Sequence, residues 1–478
     1  MAMAEGDGET APHVALLSSP GSGHLIPLAK LAELLVHRHG FTVTFILFAD
    51  HAQSACLRSF PASSFSSVQL PPVPLDDLPS DAQVETRLAA MVERSAPGVH
   101  DVLRRLKTTT HLVAYVIDIF GTATLPAAKQ LGVPRFLFCT TNFFALSFLF
   151  HLPELDRTTS CEYRDLPEPV AFPGCLPLRG EDFLQPIQDR TDDAYRCVLD
   201  ICRGIREVDS ILVNSFVELE PAACEALKSE RPPAIPVGPV VTRNRREDTA
   251  KGDHSYLQWL DYQPRGSVLF VSFGSGGTLS TEQMRELAFG LEQSGQRFVW
   301  VVRCPNDRET SGAFFQLSGL GADDPLAYLP EGFLARTRGT GVVVPLWVLQ
   351  VELLAHPATG GFLSHCGWNS TLESVAHGVP MIAWPLYAEQ RVNAVLLSEG
   401  AGVALRPKKR TGLVGRETVA EVVKELFEGE EGKRVREKVQ QLKEAAARAA
   451  ESEDGSSYKA LADVVKKWKN GTDTVVDA

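Results

Sequence analysis

Residues 347–390, WVLQVELLAHPATGGFLSHCGWNSTLESVAHGVPMIAWPLYAEQ, decide which fold and which kind of site this chain has. Within them, residues 361–370 have the pattern of a strand, a glycine turn and the start of a helix. This pattern places Asn369 and Ser370 near a helix N-terminus, with His365 just upstream. Unpaired backbone N–H groups and the helix dipole attract anions at such an end. The segment therefore predicts a site for a diphosphate.

Other residues of the same segment predict a nucleotide rather than a bare phosphate. Glu373 lies four residues past Asn369, on the same helix face, where a carboxylate can accept both hydroxyls of a ribose. Trp347 offers a flat surface on which a base can stack, worth about 1–3 kcal/mol. The backbone of Val348 and the side chain of Gln350 are then expected at the edges of the base. Together these residues predict a nucleotide-sugar site.

On both sides of this segment, short apolar runs alternate with stretches of helical periodicity. Strands are predicted at 14–17, 43–48, 114–117, 136–138, 268–272, 298–302, 342–345, 361–363 and 381–384. Helices are predicted at 26–38, 125–131 and 281–293, with two or three surface helices over 416–468. Continuous apolar strands are typical of parallel sheets buried on both faces. The fold class is therefore α/β, with two doubly wound, Rossmann-like sheets.

The 478 residues exceed what one hydrophobic core usually organises, so two domains with a cleft between them are expected. We place an N-terminal domain at 1–240, a polar linker at 241–256 and a C-terminal domain at 257–452. A helix and tail over 453–478 can pack back on the N-terminal domain. The Ser- and Pro-rich stretch 59–83 predicts a long surface loop.

Composition excludes several other classes of protein. A formal net charge of −12 disfavours nucleic acid and anionic membrane surfaces as partners. The nine cysteines lack the spacing of a zinc site or a disulfide framework. The N-terminus is polar and acidic rather than signal-like, and no apolar run reaches about 18 residues. These features predict a cytoplasmic protein that holds no metal and does not insert in membranes; we also expect a monomer.

Residues 347–390 closely resemble the signature box of plant secondary-product UDP-glycosyltransferases. The resemblance extends over nearly the whole chain, through PGSGH at 20–24, HLP at 151–153 and SFGSGG at 272–277, and is nearest to the hydroquinone glucosyltransferase (arbutin synthase) group. It implies the GT-B fold, in which two Rossmann-like domains face each other across a cleft. It also implies UDP-glucose as the sugar donor, with no further cofactor, and a small phenolic or other lipophilic acceptor.

The resemblance identifies His24 as the catalytic base and Asp118 as the acid that orients it. The chemistry agrees, because a neutral imidazole can take a proton from an acceptor hydroxyl and a buried carboxylate can stabilise the imidazolium. Both residues follow predicted strands, at the end where open α/β sheets form their sites. A single displacement by the acceptor oxygen inverts the anomeric configuration.

Further contacts are implied by the same resemblance. Contacts to the donor are implied for Ser19, Gly23, Thr140, Thr141, Ser275, Gly367, Trp368, Glu389 and Gln390, and contacts to the acceptor for Glu85, Phe120, Phe148 and Tyr387. Gln390 favours glucose as the transferred sugar. The chain departs from the family in having Val348-Leu349 in place of Ala-Pro and Ser22 in place of Met. Because proline fixes φ near −65°, we expect Leu349 to loosen uracil binding and Leu349→Pro to tighten it.

Two other functions and several structural interpretations remain open at this stage. A nicotinamide oxidoreductase would need the full glycine fingerprint and an acidic residue about 20 positions later, and the chain has neither. A nucleotide-binding sensor without catalysis would not require His24 and Asp118 together. Trp384 fits a core position as well as a functional one, and most of the phenylalanines over 143–150 fit core packing. Glu85 by itself would be a surface charge.

Overall fold

The computed structural model describes residues 11–49, 57, 64–241, 254–314, 324–408 and 412–471. Most of the predicted linker, 242–253, lies outside these ranges, as does the N-terminal segment 1–10. The described residues form two parallel sheets, one of seven strands and one of six. This arrangement confirms the predicted α/β class with two Rossmann-like units.

The first sheet and its helices occupy the N-terminal half of the chain. Its strands are β1 Pro12–Ser18, β2 Thr42–Leu47, β3 Phe65–Gln69, β4 His111–Ile117, β5 Arg135–Cys139, β6 Ser210–Val213 and β7 Ala234–Pro236. Its helices are α1 Ser22–His39, α2 Val84–Thr109, α3 Leu125–Gln130, α4 Phe143–Thr158, α5 Asp193–Gly204 and α6 Pro221–Ala226. The strand order is β3-β2-β1-β4-β5-β6-β7.

The second sheet follows the same plan. Its strands are β8 Val268–Ser272, β9 Arg297–Val302, β10 Gly341–Pro345, β11 Thr359–Ser364, β12 Met381–Ala383 and β13 Ala404–Leu405, in the order β10-β9-β8-β11-β12-β13. The helices are α7 Ser255–Asp261, α8 Thr281–Ser294, α9 Phe333–Arg336, α10 Gln350–Ala355, α11 Trp368–His377, α12 Gln390–Val395, α13 Arg416–Glu428, α14 Glu430–Glu451 and α15 Ser456–Asn470. Short 3₁₀ turns occur at Ile119–Thr124, Tyr163–Asp165, Gly180–Asp182, Gln185–Ile187, Ile205–Glu207, Leu227–Ser229 and Pro325–Tyr328, and a π-helical turn at Leu396–Gly400.

The central strands are apolar throughout because helices cover both faces of each sheet. In β1, all residues from Val14 to Leu17 have no solvent exposure. The following helix, α1, ends where its sequence indicates, since Gly40 adopts the left-handed conformation with φ of 72°. A residue with a side chain would be strained there. Local sequence thus accounts for the first βαβ unit.

The last helix, α15, packs on the first sheet although it follows the second one in sequence. Its Trp468 is buried, with its ring 4.8 Å from that of Phe136 and 6.2 Å from that of Phe41. Lys469 lies over the ring of Phe41 and donates to the carbonyl of His39 at 2.6 Å. The C-terminal segment therefore joins the two domains physically.

Several elements were absent from the sequence-based prediction: strands β3, β6, β7 and β13 and helices α2, α4, α5, α6, α7, α9, α10 and α12. Strand β3 lies inside the stretch 59–83, which was predicted to be a loop and of which residues 64–83 are described. It is an edge strand that pairs only with β2 among the described strands, so its residues are mostly polar and partly exposed. Helices α2, α4 and α5 were not among the predicted helices. Helices α2 and α4 each contain an internal proline, Pro97 and Pro153, which interrupts the helical pattern. Helix α5 has a clear apolar face that the sequence analysis missed.

Strand order places the predicted site residues together. In the first sheet the order changes direction between β1 and β4, which precede His24 and Asp118. In the second sheet it changes between β8 and β11, which precede Ser275 and His365. Ligands bind outside the carboxyl ends of strands at such switch points.

Two further properties concern the chain as a whole. Among the described residues, no helix has the combination of length and apolar character that crossing a bilayer requires. The cysteines within the described ranges are free thiols, four of them buried: Cys139, Cys202, Cys224 and Cys366.

Candidate active site

A cavity of about 340 Å³ lies between the two domains and is lined by residues of both. Of the residues singled out from the sequence, those that line it are Gly23, His24, Glu85, Phe120, Thr140, Thr141, Ser275, Trp347, Val348, Gln350, His365, Gly367, Trp368, Asn369, Ser370, Glu373, Tyr387, Glu389 and Gln390. Asp118, Ser19 and Phe148 do not line it. Its volume lies within the range of pockets for small molecules.

His24 lies in the first turn of α1, close behind the end of β1. The connecting turn contains Gly21 with φ of 112°, a conformation that residues with side chains rarely adopt. The imidazole is 18% exposed, and its Nδ1 atom lies 3.3 Å from Oδ2 of the fully buried Asp118. This leaves Nε2 as the ring nitrogen that can act on a ligand in the cavity.

Asp118 is held by three hydrogen bonds from Ser19 and Phe120. The backbone N–H of Ser19 donates to Oδ2 at 2.6 Å, and the Ser19 hydroxyl donates to Oδ1 at 2.7 Å. The backbone N–H of Phe120 donates to Oδ1 at 3.1 Å. Ser19 therefore differs from the expectation that it contacts the diphosphate. It is fully buried and its polar groups point at the carboxylate instead.

The environment of His24 favours its protonated form. Burial lowers the pKa of His24, but the hydrogen-bonding capacity and negative charge of Asp118, together with the charge of Glu389, outweigh burial and leave the pKa raised. Nδ1 has no well-aligned hydrogen-bond partner among the described residues. Catalytic hydrogen bonds are often loose in unliganded enzymes and tighten when substrate binds. The pair thus has the chemistry of a base backed by a carboxylate.

Helix α11 presents its N-terminus to the cavity. Gly367 is the N-cap, no described side chain caps the helix, and its first turn carries no acidic residue. The first backbone bond of the helix runs from Thr371 N–H to the Gly367 carbonyl, so the N–H groups of residues 368–370 precede it. Such an end binds anions. The side chain of Asn369, however, donates across the cleft to the Gly23 carbonyl at 2.7 Å.

His365 lies beneath this helix end and is uncharged at neutral pH. Burial, with a contribution from the charge of Arg303, lowers the pKa of His365 to about 4. A Cβ atom on Gly274 or Gly367 would lie 2.5 or 2.4 Å from its Nε2, so glycine is required at both positions. Nδ1 is buried and has no partner within the described structure. A neutral imidazole can still donate one hydrogen bond.

Arg303 is a lining residue that the sequence analysis missed. Among the described residues that line the cavity, Arg303 is the only arginine, and none is a lysine. Its Nε donates to the Gly274 carbonyl at 3.2 Å. It directly follows β9, so the rule that ligands bind at the carboxyl ends of strands could have indicated it.

The nucleotide end of the cavity has an exposed tryptophan beside a polar network. The side chain of Trp347 is 57% exposed, which is unusual for a large aromatic residue. Gln350 Nε2 donates to Ser370 Oγ at 2.9 Å and to Glu373 Oε2 at 2.7 Å. Val348 is buried at the cavity wall. A flat ring and a carboxylate thus lie where a base and a ribose are expected.

The residues expected to bind the sugar also hold the cavity wall together. Gln390 Oε1 accepts from the backbone N–H groups of Leu386 and Tyr387 at 2.9 and 3.0 Å. The indole N–H of Trp368 donates to the Asn214 carbonyl of the first domain at 2.7 Å, so this N–H is not available to a sugar. The Thr141 hydroxyl is buried and lacks a partner within the described parts of the chain.

On the acceptor side of the cavity, the structure decides between the two interpretations of Glu85 and corrects the assignment of Phe148. Glu85 is only 8% exposed, so it is not a surface charge, and burial is the main cause that raises its pKa to about 7. Phe148 is fully buried and packs on Phe172 and Phe183, so it belongs to the core. Phe120 does line the cavity, with its ring 5.5 Å from that of His24.

Trp384 belongs to the core of the second domain. It is 5% exposed and its ring packs edge-on against Phe273 at 6.4 Å. Of the two interpretations that the sequence left open, core packing is therefore correct.

Backbone strain is concentrated around the cavity in the second domain. Among the described residues, the non-glycine residues with positive φ are Leu346, Cys366 and Ala388. Leu346 and Ala388 line the cavity, and Cys366 lies between two lining residues. Such conformations cost about 1–3 kcal/mol each and cluster at functional sites.

Comparison with known proteins agrees with this geometry. A family model described as UDP-glucoronosyl and UDP-glucosyl transferase matches residues 248–443. The hydroquinone glucosyltransferase of Rauvolfia serpentina is 52% identical over 471 residues, which cover 97% of this chain and 99% of the relative.

Two solved structures extend the similarity to the whole fold. The structure of Phytolacca americana UGT2 complexed with UDP-2fluoro-glucose and pterostilbene has a TM-score of 0.86 and 46% identity, covering 96% of this chain and 100% of that chain. A UDP-glucosyltransferase from Polygonum tinctorium capable of glucosylating indoxyl, in complex with 3,4-dichloroaniline, has a TM-score of 0.87 and 46% identity, with 96% and 99% covered. The predicted GT-B fold is confirmed, and the chain belongs to the plant UDP-glycosyltransferases of the UDP-glucoronosyl and UDP-glucosyl transferase family.

Proposed function

We propose that the chain transfers glucose from UDP-glucose to the hydroxyl of a small phenolic or similar lipophilic acceptor, with inversion at the anomeric carbon. The observation that carries this proposal is the pairing of His24 with the buried Asp118 on one wall of the cleft. The uncapped N-terminus of α11 lies on the opposite wall. A base and an anion site facing one cavity suit a reaction between a neutral acceptor and a nucleotide sugar.

His24 acts as the general base through Nε2. It takes the proton of the acceptor hydroxyl while the acceptor oxygen forms a bond to the anomeric carbon. The bond from that carbon to the diphosphate oxygen breaks, and UDP leaves with the electron pair. Asp118 stabilises the imidazolium through Nδ1, because the two groups are 3.3 Å apart and the carboxylate is desolvated. Attack opposite the leaving group gives the inverted glycoside.

Groups of the second domain bind the donor. We expect the diphosphate to accept hydrogen bonds from the first backbone N–H groups of α11, from the Ser275 hydroxyl and from a neutral His365. Arg303 adds the positive charge that the uncharged His365 does not supply. Trp347 stacks on the uracil, and Glu373 accepts the ribose hydroxyls with Gln350 beside it. These protein groups can balance the diphosphate charge, so we expect activity to persist in a chelator.

Gln390 and the relatives' substrates guide the choice of sugar and acceptor. Gln390 occupies the position where family members that use glucose commonly have glutamine. The named relatives include a hydroquinone glucosyltransferase and an enzyme that glucosylates indoxyl. Hydroquinone and indoxyl are both small aromatic acceptors. The acceptor side of the cavity is lined by apolar side chains such as Val84, Leu88 and Phe120, with Glu85 among them. This lining suits a planar aromatic acceptor with one polar group.

The deciding experiment compares the unsubstituted protein with His24→Ala. Product formed from UDP-glucose and hydroquinone is measured by mass, its anomeric configuration by NMR, and UDP affinity by calorimetry. We expect a β-glucoside from the unsubstituted protein, and loss of turnover with UDP affinity within about twofold in the variant. The exposed His111→Ala serves as the matched control and should keep full activity.

Each departure from these results has a distinct meaning. Retained turnover in His24→Ala would reject His24 as the base. UDP binding without glucosylation of any phenol by the unsubstituted protein would favour a nucleotide sensor. A change in absorbance at 340 nm with a nicotinamide cofactor would favour an oxidoreductase.

A further inference from the structure

The loop between β10 and α10 carries groups that the proposed function assigns to uridine binding. Its first residue, Leu346, has φ of 66° and donates its N–H to the Val302 carbonyl at 2.8 Å. Trp347 follows with its exposed ring, and its own N–H donates to the Pro345 carbonyl at 2.8 Å. These bonds hold the start of the loop. Its other end is held from outside the loop.

That outside contact comes from the hydroxyl of Tyr256 on α7. The N–H of Leu349 donates to Tyr256 Oη at 3.0 Å, across 93 residues of sequence. Tyr256 is 3% exposed, so water does not readily replace this bond. His254 Nδ1 lies 3.3 Å from the same oxygen. Leu349 is the N-cap of α10, which no described side chain caps, so the tyrosine holds the backbone exactly where the helix begins.

The residue after Leu349 belongs to the expected ribose site. Gln350 begins α10 and donates to both Ser370 and Glu373. A shift of Leu349 would therefore move Gln350 on one side and Val348 and Trp347 on the other. One hydrogen bond, partly buried, thus fixes both halves of the expected nucleotide site.

We infer that Tyr256 is a positioning residue for the donor: its hydroxyl holds the Leu349 backbone so that Trp347 and Gln350 meet the base and ribose of a uridine nucleotide. Tyr256 does not line the cavity, so its effect on the nucleotide passes through Leu349. The inference rests on the proposed function, because it assumes that this end of the cavity binds UDP.

The first test is Tyr256→Phe, which removes the hydroxyl and keeps the ring. Losing the bond leaves the partly buried Leu349 N–H without its partner and frees the loop. We expect the Kd for UDP and the KM for UDP-glucose to rise about three- to tenfold. The acceptor KM and the kcat at saturating donor should stay within about twofold. Tyr262→Phe, on an 87% exposed ring just after the same helix, is the matched control and should change none of these values.

A second variant separates positioning from general stability. Leu349 has φ of −77°, within the range of proline, so Leu349→Pro needs little backbone change but removes the N–H that Tyr256 accepts. Alone, it should weaken UDP binding, which reverses the expectation from the sequence that proline tightens it. In the Tyr256→Phe background the Leu349 N–H has already lost its bond to the tyrosine hydroxyl, so the proline removes no further contact. We therefore expect the double variant to bind UDP no more weakly than Tyr256→Phe.

The outcomes distinguish this inference from the proposed function. Unchanged UDP affinity in Tyr256→Phe, even with a lower Tm, would overturn the positioning role. Losses that add in the double variant would also overturn it. Failure of the unsubstituted protein to bind UDP would instead overturn the proposed function itself.

Discussion

The substitution Glu85→Gln removes a buried ionisable group from the acceptor side of the cavity and keeps the shape of the side chain. Burial is the main cause that raises the pKa of Glu85 to about 7; its backbone N–H lowers the pKa, and the negative charges of Glu389, Asp192 and Glu309 raise it further. The folded protein therefore holds a proton on Glu85 over a pH range in which the unfolded chain has released it.

The size of the effect follows from the pKa difference. The pKa rises from its usual 4.5 to about 7, and each pH unit corresponds to about 1.4 kcal/mol. The contribution of protonated Glu85 to stability is fully present below pH 4.5 and is lost as the pH rises through about 7. When the pH rises from below 4.5 to above 7, the free energy of unfolding of the unsubstituted protein should fall by about 3 kcal/mol more than that of Glu85→Gln.

Thermal unfolding between pH 4.5 and pH 9 measures this difference. The Tm of Glu85→Gln minus the Tm of the unsubstituted protein should be roughly 3 °C larger at pH 8 than at pH 4.5 if the whole chain unfolds together. The gain is roughly 6 °C if one domain unfolds alone. Glu93→Gln, exposed on the same helix, is the control and should show no pH-dependent gain. A Tm difference between Glu85→Gln and the unsubstituted protein that does not vary with pH would refute the reasoning.

Four further predictions concern other residues. Asp118→Asn should lower the pKa of His24, move the acid limb of the kcat/KM profile to lower pH and reduce kcat by roughly 10²–10⁴-fold; an acid limb at the same pH would contradict this. Arg303→Gln should weaken UDP binding about tenfold and leave uridine binding nearly unchanged in calorimetry; equal losses for both ligands would count against a phosphate contact. Trp347→Ala should raise the Kd for UDP by roughly 5–150-fold, with Trp347→Phe keeping most of the affinity; an unchanged Kd in the alanine variant would exclude stacking. Trp468→Ala should cost about 3–5 kcal/mol of stability in urea unfolding without changing kcat at 25 °C; an unchanged midpoint would show that α15 does not stabilise the first domain.

The amino-acid sequence by itself determined the parts of this protein that depend on neighbours along the chain. The strands β1 and β8, the helix α1 with its terminal Gly40, and the glycine turn before α11 all follow from local periodicity and from backbone conformations that only glycine adopts readily. The signature at 347–390 identified the family because its residues lie close together in the sequence and can be read as one motif. The family resemblance assigned roles to His24 and Asp118, and the position of each residue shortly after a predicted strand agreed with that assignment.

Only the tertiary structure decided which side chains face the cavity and which groups they meet. Ser19 and Phe148 were assigned to ligands, yet distant strands and helices surround them and turn them toward Asp118 and the core. Glu85 has an ordinary sequence context, and its high pKa arises from burial and from charges on other elements. The contact between Tyr256 and Leu349 joins residues 93 positions apart. Burial, electrostatic fields and long-range hydrogen bonds are properties of the packed chain, so no local pattern carries them.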